Sequence, residues 1–228
     1  MTPIRIIILS MLIIVFYGCS SEAGWLIYHK PAFQGKVIDA ETMQPIEGAV
    51  VVVVYEKGNW NGPGGGYTSA VKVKETLTDK NGEFKFPSYT TLILPFFSEE
   101  SFAEFIIYKP GYGNFSASRT YPPGDMPLDV LEKFFTGDVG KEGELPEVGI
   151  VGGQSKIVYT WKVFWGVVEL PKLKTREERI RNIPSLPSEL EFLEEQKKLI
   201  QLINEEEVNL GLEKSDPYRA RDFILHRR

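Results

Sequence analysis

Few residues in this chain have the types and spacing that bond-making chemistry needs. Among 228 residues there is one cysteine, Cys19, and there are two histidines, His29 and His226. One cysteine cannot close an internal disulfide, and two distant histidines leave little material for metal ligation or acid–base work. No His-Glu-x-x-His or His-x-x-Glu pattern exists to hold a zinc ion. Neither histidine accompanies a serine in a Gly-x-Ser-x-Gly elbow, so a serine nucleophile has no base. The 31 acidic residues always offer carboxylate pairs, and a hydrolase with a paired-carboxylate site stays open on that ground. Asp79-x-Asn81-Gly82 mimics the start of a calcium loop, but Thr90 stands where the bidentate Glu of such a loop belongs, which favours a turn. The glycine-rich run Glu56 to Tyr67 lacks the Gly-Lys-Ser/Thr ending and following helix of a phosphate loop. It does carry Trp60 and Tyr67, flat amphipathic side chains suited to a sugar ring or a protein partner. A second account has Trp60 folding back to cap the core. Neither a metal nor a cofactor is expected.

Cys19 has a context of its own. A short leading region with Arg5 precedes an apolar run from Ile6 to Tyr17, which has signal-peptide length and is too short to span a bilayer. Gly18-Cys19-Ser20 follows and resembles a bacterial lipobox. The resemblance implies that 1–18 is a signal peptide and that Cys19 becomes an acylated N-terminus, modified with palmitate and held on a membrane at about 0.8 kcal/mol per buried methylene. An uncleaved anchor or an ordinary buried cysteine is the alternative. Ser20 at the next position implies sorting to the outer rather than the inner membrane of the cell envelope. The net charge of −5 and pI near 5.3 argue against nucleic acid as a partner.

The elements that must position these residues are mainly strands. Gln34 to Ile38 reads as a first strand, turned at Glu41 to Pro45 and Gly48. Val50 to Val54 are β-branched and belong in a sheet interior. Val71, Val73 and Leu77 alternate with Lys72, Lys74 and Thr76, and Phe84 and Phe86 alternate with Glu83 and Lys85, so two further strands each bury one face. Asn81 and Gly82 form the turn between them, and Pro110-Gly111 turns the chain after a strand at Glu104 to Tyr108.

Gly35 to Val53, Thr76 to Phe86 and Tyr108 to Tyr112 together resemble the carboxypeptidase regulatory-like domain, a transthyretin-like fold. The resemblance implies a seven-stranded, mainly β Greek-key sandwich, non-catalytic and accessory to other proteins. Hydroxyisourate hydrolases share that fold, but Leu225-His-Arg-Arg228 does not match their Tyr-Arg-Gly-Ser ending. The domain reading places a tether at 19–31, the sandwich at 32–171 with an insertion at about 113–155, and a helical segment at 172–228.

Four expectations concern the periphery. Val50, Val52 and Val54 point away from Val51, Val53 and Tyr55, so the valine strand has two apolar faces and something must cover the outer one; the apolar tether residues Trp25 to Tyr28 are one candidate. Leu128 to Phe135 reads as two helical turns within the insertion, which is either specific to a subgroup or a long surface loop. The aromatic run from Lys156 to Leu170 should close the sandwich. Thr175 to Glu178 and Ser188 to Glu191 are capping boxes that start two helices, the second from about Glu189 to Glu207, to pack on the sheet or meet a partner. The functional reading is a lipid-anchored, non-catalytic binding module of the bacterial cell envelope, with an envelope protein or glycan as partner; a structural envelope component is its rival.

Overall fold

A computed structural model describes residues 27–60, 65–93, 98–116, 128–151, 154–186 and 190–212. The chain is mainly β and is built around β3 (Val50–Trp60). β3 lies between β4 (Gly66–Leu77) and β7 (Ser98–Tyr108), and the short β8 (Phe115–Ser116) completes a four-stranded sheet in the order β4-β3-β7-β8. A three-stranded sheet faces it. There β2 (Phe33–Asp39) is flanked by β11 (Val167–Leu170), parallel to it, and β5 (Glu83–Phe86), antiparallel. The facing sides share one core, with Val51, Val53, Tyr55, Phe105 and Ile107 from the first sheet and Phe33, Val37, Phe84, Phe86, Val168 and Leu170 from the second.

The outer side of β3 is covered as its composition requires, but by a distant segment. Val50, Val52, Val54, Val73, Ile106 and Tyr108 pack under Leu199 and Ile203 of α3 (Lys197–Asn209; numbered after two earlier helices given below), with Ile183, Leu186, Phe192 and Leu202 at the margin. Burying such side chains contributes roughly 1.5–3 kcal/mol each. Over the face this matches the whole net stability of a typical domain, so the helical layer is part of the fold. α3 starts later than its sequence implies, because Leu190–Phe192 and Glu194–Gln196 are 3₁₀ turns; Ser188 lies outside the described residues. Its first turn is capped from the sheet: the Glu75 carboxylate on β4 accepts the amides of Lys198 at 2.9 Å and Leu199 at 3.1 Å, a negative charge where the helix dipole favours one.

Ile27 and Tyr28 do not supply this cover, and Trp25 and Leu26 lie outside the described residues. Ile27–Lys30 forms β1, paired with β6 (Tyr89–Leu92), and Tyr28 is buried in the core between the sheets, on the opposite side of β3. The buried Lys30 amine meets Glu100 at 3.0 Å and Glu132 at 2.8 Å. Glu132 lies on α1 (Leu128–Thr136), which is not a surface loop: Leu131, Phe134 and Phe135 are fully buried, and the Phe135 ring lies 4.4 Å from that of Phe105 and 5.7 Å from that of Phe84.

The aromatic run from Lys156 to Leu170 divides. Gln154–Phe164 is β10, paired with β9 (Glu142–Val151) in a separate hairpin, and only β11, beyond the turn at Gly166, joins the sandwiching sheet beside β2. The acidic, glycine-rich composition of 136–145 hid β9. Beyond β11, the capping box at Thr175 starts α2 (Arg176–Arg181) as its sequence implies. Arg179 then grips the buried Glu206 of α3 through two nitrogens, at 2.8 and 2.6 Å, and Glu206 also accepts the Gly111 amide at 3.2 Å.

The chain turns at 81–82 and at 110–111. Asp79 Oδ1 accepts the amides of Asn81 and Glu83, both at 2.9 Å, and Gly82 sits at φ +74° with its carbonyl accepting from Val37 N at 2.8 Å. A Cβ on Gly82 would stand 2.4 Å from the Val37 carbonyl oxygen. Gly82→Ala is therefore expected to cost more than the roughly 1–2 kcal/mol of a left-handed L-residue alone, with a lower melting temperature by calorimetry; an unchanged one would show that the turn can rearrange freely.

Candidate functional site

Strand directions sort the sequence-selected residues onto two ends. β2 runs toward the Asp39 turn, β3 begins near it, β4 ends at Leu77 ahead of the Asn81-Gly82 turn, and β7 ends ahead of Pro110-Gly111. These turns, with Gly82 at φ +74° and Gly111 at φ +81°, gather at one end. Trp60 and Tyr67 lie at the other. Two groups expected to act structurally are thus separated by the length of the strands from the two expected to bind.

The stretch Gly58 to Tyr67 is less of a loop than its glycines imply. β3 and β4 keep their ladder through Asn59↔Tyr67 and Trp60↔Gly66, so only a short connection closes the hairpin. Asn59 stiffens it. Its amide donates to Ser69 Oγ at 2.8 Å on β4, and its carbonyl oxygen accepts from Ser98 Oγ at 3.2 Å on β7. Tyr67 is 53% exposed on this tip. The Trp60 backbone is the terminal rung, and its side chain lies outside the described residues, as does Cys19.

The structure adds a carboxylate pair that sequence reasoning passed over. Glu104 pairs with Val54 across β3 and β7, and Glu56 pairs with Ala70 across β3 and β4. Both continue the outward-facing register of Val50, Val52 and Val54, where the helical layer gives out. Burial, and then the Glu104 charge, push Glu56 up to about 7 against an opposing hydrogen bond from Thr68, and burial raises Glu104. On one face of the sheet, each carboxyl is thus held toward its protonated form, the starting point for acid–base work. The signal was available: each glutamate interrupts an alternation whose other members are apolar.

A second feature is an open cavity of about 450 Å³ lined by Gln34, Gly35, Thr76, Leu77, Asp79, Glu83, Phe84, Lys85 and Val139. It lies at the turn-bearing end and does not include the glutamate pair. Asp79 Oδ1 is already committed to the two backbone amides described above. Among the described residues no group of three His, Cys, Asp or Glu side chains is placed to hold a metal ion, and no helix is long and apolar enough to cross a membrane.

No family model matches the chain, and no curated protein does. Solved structures matched include the crystal structure of catechol 1,2-dioxygenase from Pseudomonas arvilla C-1, at 13% identity and a TM-score of 0.32, covering 75% of this chain and 60% of that one. The chain thus spans less than two thirds of that enzyme's length, and a likeness this weak carries no argument about activity.

The glutamate pair makes stability depend on pH in a direction that can be worked out. A carboxyl whose folded pKa is raised from 4.5 to about 7 leaves the folded state holding more protons than the unfolded chain between those values. Stability from this source is therefore full in acid and lost as pH rises through 7. Relative to the Glu56→Gln variant, the wild-type melting temperature is expected to fall between pH 5 and pH 8; parallel curves would mean that Glu56 titrates normally.

Proposed function

We propose that this chain is a lipid-anchored, non-catalytic accessory module of a bacterial cell envelope. Acylated Cys19 holds it on the membrane, the outer rather than the inner one, and a Greek-key sandwich of transthyretin-like type presents the β3–β4 tip to an envelope protein or glycan. The observation that carries this reading is the position of the single cysteine: it ends the one signal-like apolar segment, and only seven residues lie between it and Ile27, the first residue of the described strand pairing. Two sheets of three and four strands with a shared core support the fold reading. An exposed tyrosine on a hairpin stiffened by Asn59 supports recognition at the tip, because a rigid aromatic platform loses little entropy on binding.

The other reading with an observation in its favour is a hydrolase acting through Glu56 and Glu104. The pair does not line the 450 Å³ cavity at the turn-bearing end, so a substrate held in that cavity would lie out of its hydrogen-bond reach.

Replacement Cys19→Ala is expected to leave the precursor unprocessed and to abolish the acyl mass found on the wild-type mature chain by intact-mass spectrometry. A Cys19→Ala protein of mature mass that still fractionates with membranes would overturn the anchor. Tyr67→Ala is expected to stay within about 0.5 kcal/mol of wild-type stability, as exposed positions do, while crosslinking to the envelope partner falls. Loss of stability with crosslinking intact would make Tyr67 a packing residue.

A further inference from the structure

The small β1–β6 ladder has two unlike faces. Tyr28 and Lys30 turn inward and are buried, whereas Ile27 is 46% exposed and its cross-strand partner Leu92 is 79% exposed. These two apolar side chains form the last rung among the described residues, and the rung lies at the open end of the molecule: β5 and β6 run in succession away from the turn-bearing end, and antiparallel pairing brings the start of β1 to the end of β6. Phe102, 42% exposed, and Tyr67, 53% exposed, belong to the same end. Large apolar side chains left in water at one end of a molecule point to a surface with a partner.

The chain itself indicates which partner. Eight Cα steps separate Cys19 from Ile27, and an extended chain covers at most about 3.3–3.6 Å per residue, so an acylated Cys19 keeps Ile27 within roughly 28 Å of the lipid surface. Apolar contacts to the lipid boundary add to the anchoring supplied by acyl chains. We propose that the open end, through Ile27 and Leu92, rests on the lipid bilayer beside the acylated N-terminus, so that the β3–β4 tip meets its partner at the membrane surface and the turns at 81–82 and 110–111 face away from it. Carboxylates Glu99 and Glu100 stand at this end as well, on β7, so a zwitterionic surface suits it better than an anionic one. The inference rests on the anchor reading above.

The test uses the full acylated protein purified from membranes and reconstituted into phosphatidylethanolamine–phosphatidylcholine vesicles. Acylation consumes the native thiol, so a fluorophore on Leu92→Cys reports this face alone, Ile27→Cys provides a second report should the first variant fail to fold, and Lys80→Cys marks the far end. Nitroxide-bearing lipid is expected to quench the Leu92 probe severalfold and aqueous iodide to reach it poorly, with the reverse for Lys80. An iodide-accessible Leu92 probe on a protein whose mass shows acylated Cys19 would overturn the inference and leave the anchor standing. Shielding from both quenchers would assign the face to a second copy of the chain, also overturning it. An unmodified Cys19 would sink both.

Discussion

The structure depends on a strand that no single neighbour can satisfy. β3 carries valines on both sides, all five of them at most 1% exposed, and it sits between two other strands, so its backbone is paired while both side-chain faces still demand cover. The inner face is met by the second sheet and by the aromatic side chains of α1. The outer face is met by α3 and the irregular chain leading to it. A sheet buried on both faces excludes the usual arrangement in which one side of an antiparallel sheet looks onto solvent, and this turns the C-terminal segment from an appendage into one wall of the domain.

Polar groups fasten these covers at their margins. Glu75 caps the start of α3, Arg179 and the Gly111 amide converge on Glu206 near its end, and Arg176 donates to the Leu210 carbonyl at 3.0 Å. On the inner side Lys30 draws β1, β7 and α1 together through Glu100 and Glu132. In the Arg179–Glu206 pair the glutamate side chain is only 2% exposed. Removing either partner would strand a charge, which is why such pairs fix register even when their net stabilisation is small. Glu56 and Glu104 follow the opposite logic, like charges placed together without a cation among the causes of their shifts.

The two ends of the molecule therefore differ in kind. One collects tight, hydrogen-bonded turns whose glycines, Gly82 and Gly111, sit at positive φ, a conformation that costs other residues strain. The other collects the chain entry, the β3–β4 tip and exposed apolar side chains, and it is where interaction with surroundings is physically cheapest, because variation there leaves the core untouched.

What the sequence determined by itself was local. The valine run, the alternation in β4 and β5, the positive-φ turn at Gly82 and the capping box at Thr175 all follow from interactions within a few residues, and the two apolar faces of β3 were legible as a demand for cover. What only the tertiary structure decided was which segments answered it. Glu75 and Lys198 meet across 123 residues, and nothing in the period of a helix names the sheet it will lie on. The same holds for α1, whose helical turns were legible but whose packing against Phe84 and Phe105 was not, and for Tyr28, drawn from a presumed tether into the interior. Glu56 and Glu104 became a pair because strand register set two residues 48 positions apart on the same face. Periodicity and turn chemistry are short-range properties of the chain, whereas the choice of packing partner is settled by the competition of all apolar faces for one another, and that competition is resolved only in the folded state.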